Sequence, residues 1–116
     1  MHPINLLAKT NQLGYYQNME KRVAHYKLVV VKQLVAERKV SFTKTALEGA
    51  ANLGFDAEEI LDVVSNLTGM DLYKSMTSHA DHTVWHDVYR VQTDNGQVYL
   101  KLTILENLLI VSFKEL

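Results

Sequence analysis

The residues best suited to chemistry lie in the last third of the chain, where polar and apolar side chains alternate. From Gln97 to Ile104 the alternation is unbroken, which is typical of a strand with one buried face. The polar face of this strand carries Tyr99 and Lys101, and Lys114 follows in the last strand-like segment. Lysine binds phosphate and stabilises developing negative charge, and a neighbouring lysine favours the ionised form of a tyrosine. Such a set of side chains suits the cleavage of RNA without a metal ion.

Two turn signals predict which of these residues meet. Asn95-Gly96 is typical of a two-residue hairpin loop, and Glu106-Asn107 is a weaker second turn. If each pair is a complete loop, cross-strand pairing forms two rows on the polar face. These rows are Gln92–Tyr99–Lys114 and Arg90–Lys101–Ser112. The same register predicts an apolar face made of Val98, Leu100, Leu102, Ile104, Leu109, Val111 and Phe113. Half-buried sheets without a site carry similar polar side chains, so patterning alone leaves both readings open.

The histidines His79, His82 and His86 follow an H-x2-H-x3-H pattern that resembles a metal-binding cluster. They lie in a loop that enters a strand, whereas a helix would align ligands four residues apart, so we do not expect a metal. His86 belongs to the predicted polar face. Our register places it opposite Leu105, six residues or ~20 Å along the sheet from Tyr99.

The elements that must position these residues change character along the chain. Apolar residues at helical spacing predict a first helix over residues 28–37. Thr43 or Thr45 can cap a second helix that ends at Gly54, and Asp56 opens a third that Thr68-Gly69 ends. Their predicted inner stripes are Ala46, Leu47, Ala50 and Leu53 in the second helix, and Ile60, Val63, Val64 and Leu67 in the third.

After Leu72 the apolar period changes from helical to alternating, which predicts a run of strands. We expect them around residues 73–78, 85–92, 97–104 and 108–114. Val40-Ser41-Phe42 is expected to be a short extended link. The sequence therefore predicts an α+β fold, with N-terminal helices packed on one face of a C-terminal antiparallel sheet.

Composition sets broader limits. The chain has 116 residues, 47% of them hydrophobic, and one proline, which indicates a folded domain; we assign it to residues 19–116. Residues 1–18 form an extension that is either disordered or a mis-assigned start. The absence of cysteine excludes disulfides and thiolate zinc sites and suits the cytoplasm. No apolar run is long enough to span a membrane or to form a signal-peptide core.

Net charge is −1, yet the charges are unevenly placed. Residues 1–44 hold eight Lys or Arg, whereas residues 45–72 hold six acidic residues and no Lys or Arg. This asymmetry permits a positive face toward phosphates, although ordinary solvated helices would give the same pattern.

Several blocks in the chain carry a family resemblance, and together they are specific. They are Met19-Glu20-Lys21-Arg22, Leu72-Tyr73-Lys74-Ser75-Met76-Thr77, Asp81-His82-Thr83 with Trp85, Asp87-Val88-Tyr89-Arg90, Gly96-Gln97-Val98-Tyr99-Leu100-Lys101, and Leu109-Ile110-Val111-Ser112-Phe113-Lys114-Glu115. In these blocks the sequence resembles the motility quorum-sensing regulator (MqsR) toxins, which belong to the wider RelE-like ribonuclease toxins.

The resemblance implies a RelE-like fold and a sequence-selective mRNA endonuclease that acts at GCU-like triplets without the ribosome. It also implies no cofactor, and inhibition by a cognate MqsA-like antitoxin that carries a zinc module and a helix-turn-helix. The site residues of the family fall on Lys74, Tyr99 and Lys114. A fourth family position, usually Gln, is His86 here.

The implied chemistry is metal-free attack of a ribose 2′-hydroxyl on the adjacent phosphate. Lys74 and Lys114 would stabilise the phosphate, and Tyr99 would be the base or the acid. Because our register sets His86 far from Tyr99, we favour RNA binding over catalysis for His86. The residues expected to contact RNA besides these are Arg90, Lys101 and Gln92.

Three alternatives remain: a nucleic-acid-binding module without catalysis, a protein-interaction domain that pairs through a sheet edge, and a metal-dependent nuclease.

Overall fold

A computed structural model describes the backbone at residues 9–10 and 16–116, and the side chains from Asn18 onward. Most of the predicted extension, residues 1–18, lies outside the described residues. Within it, the two-residue strands β1 (Lys9–Thr10) and β2 (Tyr16–Gln17) pair in antiparallel fashion.

Three nine-residue helices form where the apolar spacing predicts them: α1 (Leu28–Ala36), α2 (Lys44–Asn52) and α3 (Ala57–Ser65). Thr43 caps α2, because its hydroxyl accepts a hydrogen bond from the Ala46 amide at 3.0 Å. Asp56 and Glu59 form a reciprocal capping box at the start of α3, with N–O distances of 2.9 and 3.0 Å. These caps explain where α2 and α3 begin.

The remaining strands form one six-stranded sheet in the order β3-β5-β6-β7-β8-β4. Their bounds are β3 (Glu20–Lys21), β4 (Val40–Phe42), β5 (Leu72–Thr77), β6 (Trp85–Thr93), β7 (Gly96–Ile104) and β8 (Leu108–Glu115). All pairs are antiparallel except β4 with β8, which are parallel. The α+β fold is confirmed. The predicted link at residues 40–42 is instead an edge strand of the sheet.

The turn between β6 and β7 differs from the prediction by one residue. Thr93 pairs with Gly96, so the loop is Asp94-Asn95 rather than Asn95-Gly96. Gly96 has φ of +105° and closes the turn from the first position of β7, a conformation that glycine adopts without strain. The Thr93 hydroxyl accepts from the Asn95 amide and donates to the Gly96 carbonyl, which fixes the turn.

This shift corrects both predicted pairings between β6 and β7. Tyr99 lies opposite Arg90 rather than Gln92, and Lys101 lies opposite Val88 rather than Arg90. Gln92 instead pairs with Gln97, at the hairpin end of the sheet.

The turn between β7 and β8 has three residues, 105–107, where two were predicted. Ile104 therefore pairs with Leu108, and a bulge at Val111 restores the predicted partners of Tyr99 and Lys101, namely Lys114 and Ser112. These two pairings are confirmed. The longer loop also changes which side chains of β8 face the helices. Leu108, Ile110 and Phe113 are buried there, and the prediction of Leu109 and Val111 in the core is wrong.

The core lies between the helices and one face of the sheet. The predicted helix stripes hold except at Leu47, which is 41% exposed, and Leu61 is buried as well. The fully enclosed members of the core are Val31, Ala46, Ala50, Ile60, Val64, Leu67, Tyr89, Val98, Leu100, Leu102, Leu108 and Ile110. Because all three described helices cover the same face, no helix among the residues that the structure describes covers the opposite face of the sheet. We call this second face the open face.

Gly49 sets how closely α2 approaches the sheet. A Cβ atom at this position would lie 2.2 Å from the Phe113 carbonyl oxygen of β8, which no real contact allows. A glycine inside a helix costs about 1 kcal/mol relative to alanine. Here the missing side chain is what permits the packing distance.

We predict that Gly49→Ala lowers the free energy of unfolding by about 1–3 kcal/mol, because relief of the overlap must move α2 away from β8. Urea denaturation at constant m-value measures this. Gly69→Ala is the matched control, since a Cβ at Gly69 meets nothing within 4 Å, and its effect should stay within about 0.5 kcal/mol. A stabilising Gly49→Ala would contradict the packing described.

Candidate active site

Two neighbouring cross-strand rows on the open face bring the candidate residues together. One row runs Lys74–Val88–Lys101–Ser112 across β5, β6, β7 and β8, and the next runs Arg90–Tyr99–Lys114 across β6, β7 and β8. The structure thus groups three of the four family site positions, Lys74, Tyr99 and Lys114. It adds Lys101 and Arg90 to the same group. We call Lys74, Arg90, Lys101 and Lys114 the basic cluster.

Lys101 lies at the centre of the basic cluster. It is half-buried, and Val88 between it and Lys74 is fully buried. Burial lowers the pKa of Lys101, and the positive charges of Lys114 and Lys74 lower it further. Within the part of the chain that the structure describes, Lys101 and Lys114 form no ion pair with a carboxylate. A bound anion such as phosphate would therefore relieve the repulsion among these positive charges.

Tyr99 packs among the cations of the basic cluster. The ammonium nitrogens of Lys114 and Lys101 lie 5.1 and 5.9 Å from the centre of its ring. Burial raises the pKa of Tyr99, and this effect outweighs the charges of Lys74 and Arg90, which lower it. The effect of a neighbouring lysine therefore has the predicted sign, since Lys74 lowers the pKa of Tyr99, but burial has the larger effect and the net pKa is raised. Tyr99 keeps its proton near neutral pH and can donate it.

His86 lies closer to the other site residues than the sequence register suggested. Because Asp87 pairs with Leu102, His86 comes beside Thr103, four residues or ~13 Å along β7 from Tyr99. Lys101 lies between them on the same face. Burial lowers the pKa of His86, the charge of Lys101 lowers it further, and Asp87 partly opposes this. The imidazole is therefore mostly neutral at pH 7 and can accept a proton.

The other polar residues considered from the sequence, Gln92 and His79, lie away from the basic cluster. Gln92 is exposed at the hairpin, and its side-chain amide donates to the Thr93 carbonyl at 3.1 Å, away from the basic cluster. His79 is exposed and lies 2.8 Å from the Asn18 side chain. Over the described residues, no three His, Asp or Glu side chains form a group that could hold a metal ion.

Tyr73 is a site residue that sequence reasoning missed. Leu72 pairs with Tyr89 and Lys74 pairs with Val88, so Tyr73 is the extra residue of a β-bulge. The bulge places Tyr73 on the open face together with Lys74. Three cations surround the Tyr73 ring, and their distances to its centre are 3.5 Å for Arg90, 5.3 Å for Lys74 and 5.4 Å for Arg22. No local pattern signals a bulge, so alternation could not reveal this residue.

Glu20 is a second residue that the sequence did not assign to the site. Its carboxylate oxygen lies 2.6 Å from the Lys74 ammonium nitrogen. The two residues are 54 positions apart, and they meet because β3 pairs with β5. The hydrogen bond from Lys74 lowers the pKa of Glu20, and the charge of Arg22 acts in the same direction.

Buried contacts hold the segment that carries Glu20. The Met19 amide donates to the Thr77 hydroxyl at 2.8 Å, beside the strand pairing of β3. Asp87 is fully buried, and its carboxylate accepts hydrogen bonds from the backbone amides of His25 and Tyr26, each at 2.9 Å. These bonds anchor the chain on both sides of β3.

Comparison with known proteins identifies the family. The family described as motility quorum-sensing regulator, toxin of MqsA, matches residues 23–115. The chain is also 50% identical over 97 residues to the mRNA interferase toxin MqsR of Escherichia coli (strain K12), across 84% of this chain and 99% of that protein. The chain belongs to the MqsR toxin family. This confirms the predicted family and, with it, the predicted class of enzyme, an endoribonuclease toxin.

The MqsR match includes every residue of the basic cluster, together with Tyr99 and His86. Among the described helices of this MqsR-family chain, none is long and apolar enough to cross a membrane.

We predict that Lys74→Met raises the pKa of Tyr99, because the Lys74 charge is the largest of the influences that lower it. NMR titration of tyrosines labelled at the ring Cζ carbon measures this shift. Lys32→Met, which removes a charge from α1, should leave the Tyr99 titration unchanged. A Tyr99 pKa that falls or stays constant in Lys74→Met would show that Lys74 does not face the phenol.

Proposed function

We propose that this MqsR-family chain is the toxin of a type II toxin–antitoxin system and cleaves mRNA at GCU-like triplets, without a metal ion or the ribosome. The observation that carries the proposal is the grouping on one open face of the basic cluster, a protonated Tyr99 and a neutral His86. The mRNA substrate follows the name of the Escherichia coli relative, and the triplet preference follows the family resemblance.

The scissile phosphate binds over Lys101, where the unneutralised charges of the basic cluster concentrate. Lys74 and Lys114 flank this position, and Arg90 extends the positive surface toward Tyr73. The ammonium groups stabilise the additional negative charge on the phosphate oxygens in the transition state.

Proton transfer uses the two groups on either side of Lys101. His86 accepts the proton of the ribose 2′-hydroxyl, and the 2′-oxygen forms a bond to phosphorus while the bond to the 5′-oxygen breaks. Tyr99 donates its proton to the leaving 5′-oxygen. The products are a 2′,3′-cyclic phosphate and a free 5′-hydroxyl. This assignment follows because the pKa of His86 is lowered and the pKa of Tyr99 is raised. It replaces the expectation that His86 only binds RNA.

Contacts outside this centre bind the flanking nucleotides. Arg90 and Gln92 are exposed along β6, in a line that leads from the basic cluster to the hairpin. The family description names MqsA as the partner of the toxin, and we propose that a cognate MqsA-like antitoxin inhibits this chain. Co-expression of the antitoxin should then restore growth of a host that the toxin arrests.

We predict that the purified chain cleaves a GCU-containing RNA in the presence of EDTA and leaves a 5′-hydroxyl end. Tyr99→Phe should lower the cleavage rate by about 10²- to 10⁴-fold, because it removes the proton donor and keeps the ring. Gel analysis of end-labelled RNA measures the rate, and circular dichroism confirms the fold. The matched control is Tyr89→Phe in the core, because the Tyr89 hydroxyl is buried without a hydrogen-bond partner among the described residues, and this variant should cleave at the wild-type rate. RNA that is bound but left intact in EDTA would refute metal-free cleavage.

We further predict that kcat/KM rises with pH through the pKa of His86, which lies below 6.5, and then reaches a plateau. The sign follows because only the neutral imidazole accepts a proton. His86→Gln, which restores the residue usual in the family, should lose this acidic limb and lower the plateau by about 10²-fold. An unchanged profile in His86→Gln would exclude His86 as the base.

A further inference from the structure

Glu20 is the feature of the open face that the proposed mechanism leaves unused. It places a carboxylate among cations that are expected to bind a polyanion, where a negative charge should weaken binding. Lys74 is 18% exposed and Glu20 48%, so their ion pair is partly shielded from solvent. A 2.6 Å separation from the Lys74 nitrogen marks a charge-assisted hydrogen bond.

The backbone fixes where this carboxylate lies. Glu20 pairs with Met76 of β5, and Met76 pairs with His86 of β6, so the three residues share a row. The neighbouring row contains Lys74 and Lys101. Glu20 therefore contacts Lys74 from the edge of the sheet, on the side away from Lys101 and the phosphate position.

We infer that Glu20 is a positioning residue of the active site, whose carboxylate fixes the Lys74 ammonium group beside the scissile phosphate. A lysine side chain has four rotatable bonds, and an unheld ammonium group would sample many positions. A charge-assisted bond selects one of them before RNA arrives, which removes an ordering cost from the transition state. The inference rests on the proposed function, since it gives Lys74 a place in phosphate stabilisation.

Two other roles for Glu20 agree less well with the structure. As the general base, Glu20 would be weak, because Lys74 and Arg22 lower its pKa, whereas His86 titrates closer to neutral pH. As an electrostatic screen, Glu20 would compete with RNA for Lys74. Its position on the far side of Lys74 leaves the face toward Lys101 open, so a phosphate need not displace it.

The test compares rate with affinity in Glu20→Gln, which keeps the shape of the side chain and removes its charge. We expect the single-turnover cleavage rate to fall by about 10- to 100-fold. Binding of the same RNA carrying a 2′-deoxy group at the cut site should stay equal or tighten by up to about fivefold, because a negative charge near phosphates is lost. Glu48→Gln, an exposed carboxylate on α2, is the charge-matched control and should change neither quantity.

A double-mutant cycle tests whether Glu20 acts through Lys74. In the Lys74→Met background, Glu20→Gln should cause no further loss of rate. Additive losses of rate in the double mutant would overturn the inference. In Glu20→Gln alone, an unchanged rate or a parallel loss of rate and affinity would also overturn it. A faster reaction would overturn it as well and would identify Glu20 as an electrostatic screen of Lys74.

The ¹⁵N NMR signal of the Lys74 ammonium group provides a readout that does not depend on cleavage. In the wild-type chain the hydrogen bond slows its proton exchange and keeps the signal visible, and Glu20→Gln should broaden it. A signal unaffected by Glu20→Gln would overturn the positioning role. Should the wild-type chain cleave no RNA, the proposed function would fail, and this NMR comparison would still decide whether Glu20 holds Lys74.

Discussion

Mutual repulsion among Lys74, Lys101 and Lys114 is the interaction around which the open face is organised. The sheet holds these side chains on β5, β7 and β8, and the pairings of β5 with β6, β6 with β7 and β7 with β8 prevent them from moving apart. Three helices cover the other face with a continuous apolar core, and that burial supplies the stability against which the repulsion is maintained. Burial lowers the pKa of Lys101, and the repulsion from Lys114 and Lys74 lowers it further. A phosphate bound there is stabilised by charges that the folded protein already holds together.

The electrostatics of the open face also separate the proposed acid, Tyr99, from the proposed base, His86. His86 and Tyr99 lie on the same face of the sheet with Lys101 between them, and their pKa values shift in opposite directions. Burial acts on both groups, yet it favours the neutral imidazole in one case and the neutral phenol in the other, because the charged forms differ in sign. One neutral group can therefore accept a proton while the other donates one. A glutamine at position 86, the residue that the family resemblance implies there, could not accept that proton.

Much of the fold follows from the sequence, because apolar spacing and capping residues are local signals. The helix starts at Thr43 and Asp56 and the alternation of β7 belong to this class. The family blocks pointed to Lys74, Tyr99 and Lys114 as candidate site residues, and strand pairing brings the three together on one face. Strand register was harder to predict. A turn displaced by a single residue moves every cross-strand partner by two, and so the row that contained Gln92 and Tyr99 was wrong. Compensation by the bulge at Val111 preserved the pairing of Tyr99 with Lys114.

The contacts missed altogether are those set by tertiary structure. Tyr73 reaches the open face through a bulge, and Glu20 meets Lys74 only because an edge strand docks on β5. If a phosphate relieves the repulsion at Lys101, its binding must change the pKa of Lys101. ¹³C NMR titration of the lysine Cε groups, with and without RNA carrying a 2′-deoxy group at the cut site, measures it. We expect the pKa of Lys101 to lie below 10.5 in the free protein and to rise when RNA binds. A Lys101 pKa that is unchanged by bound RNA would show that the phosphate binds elsewhere.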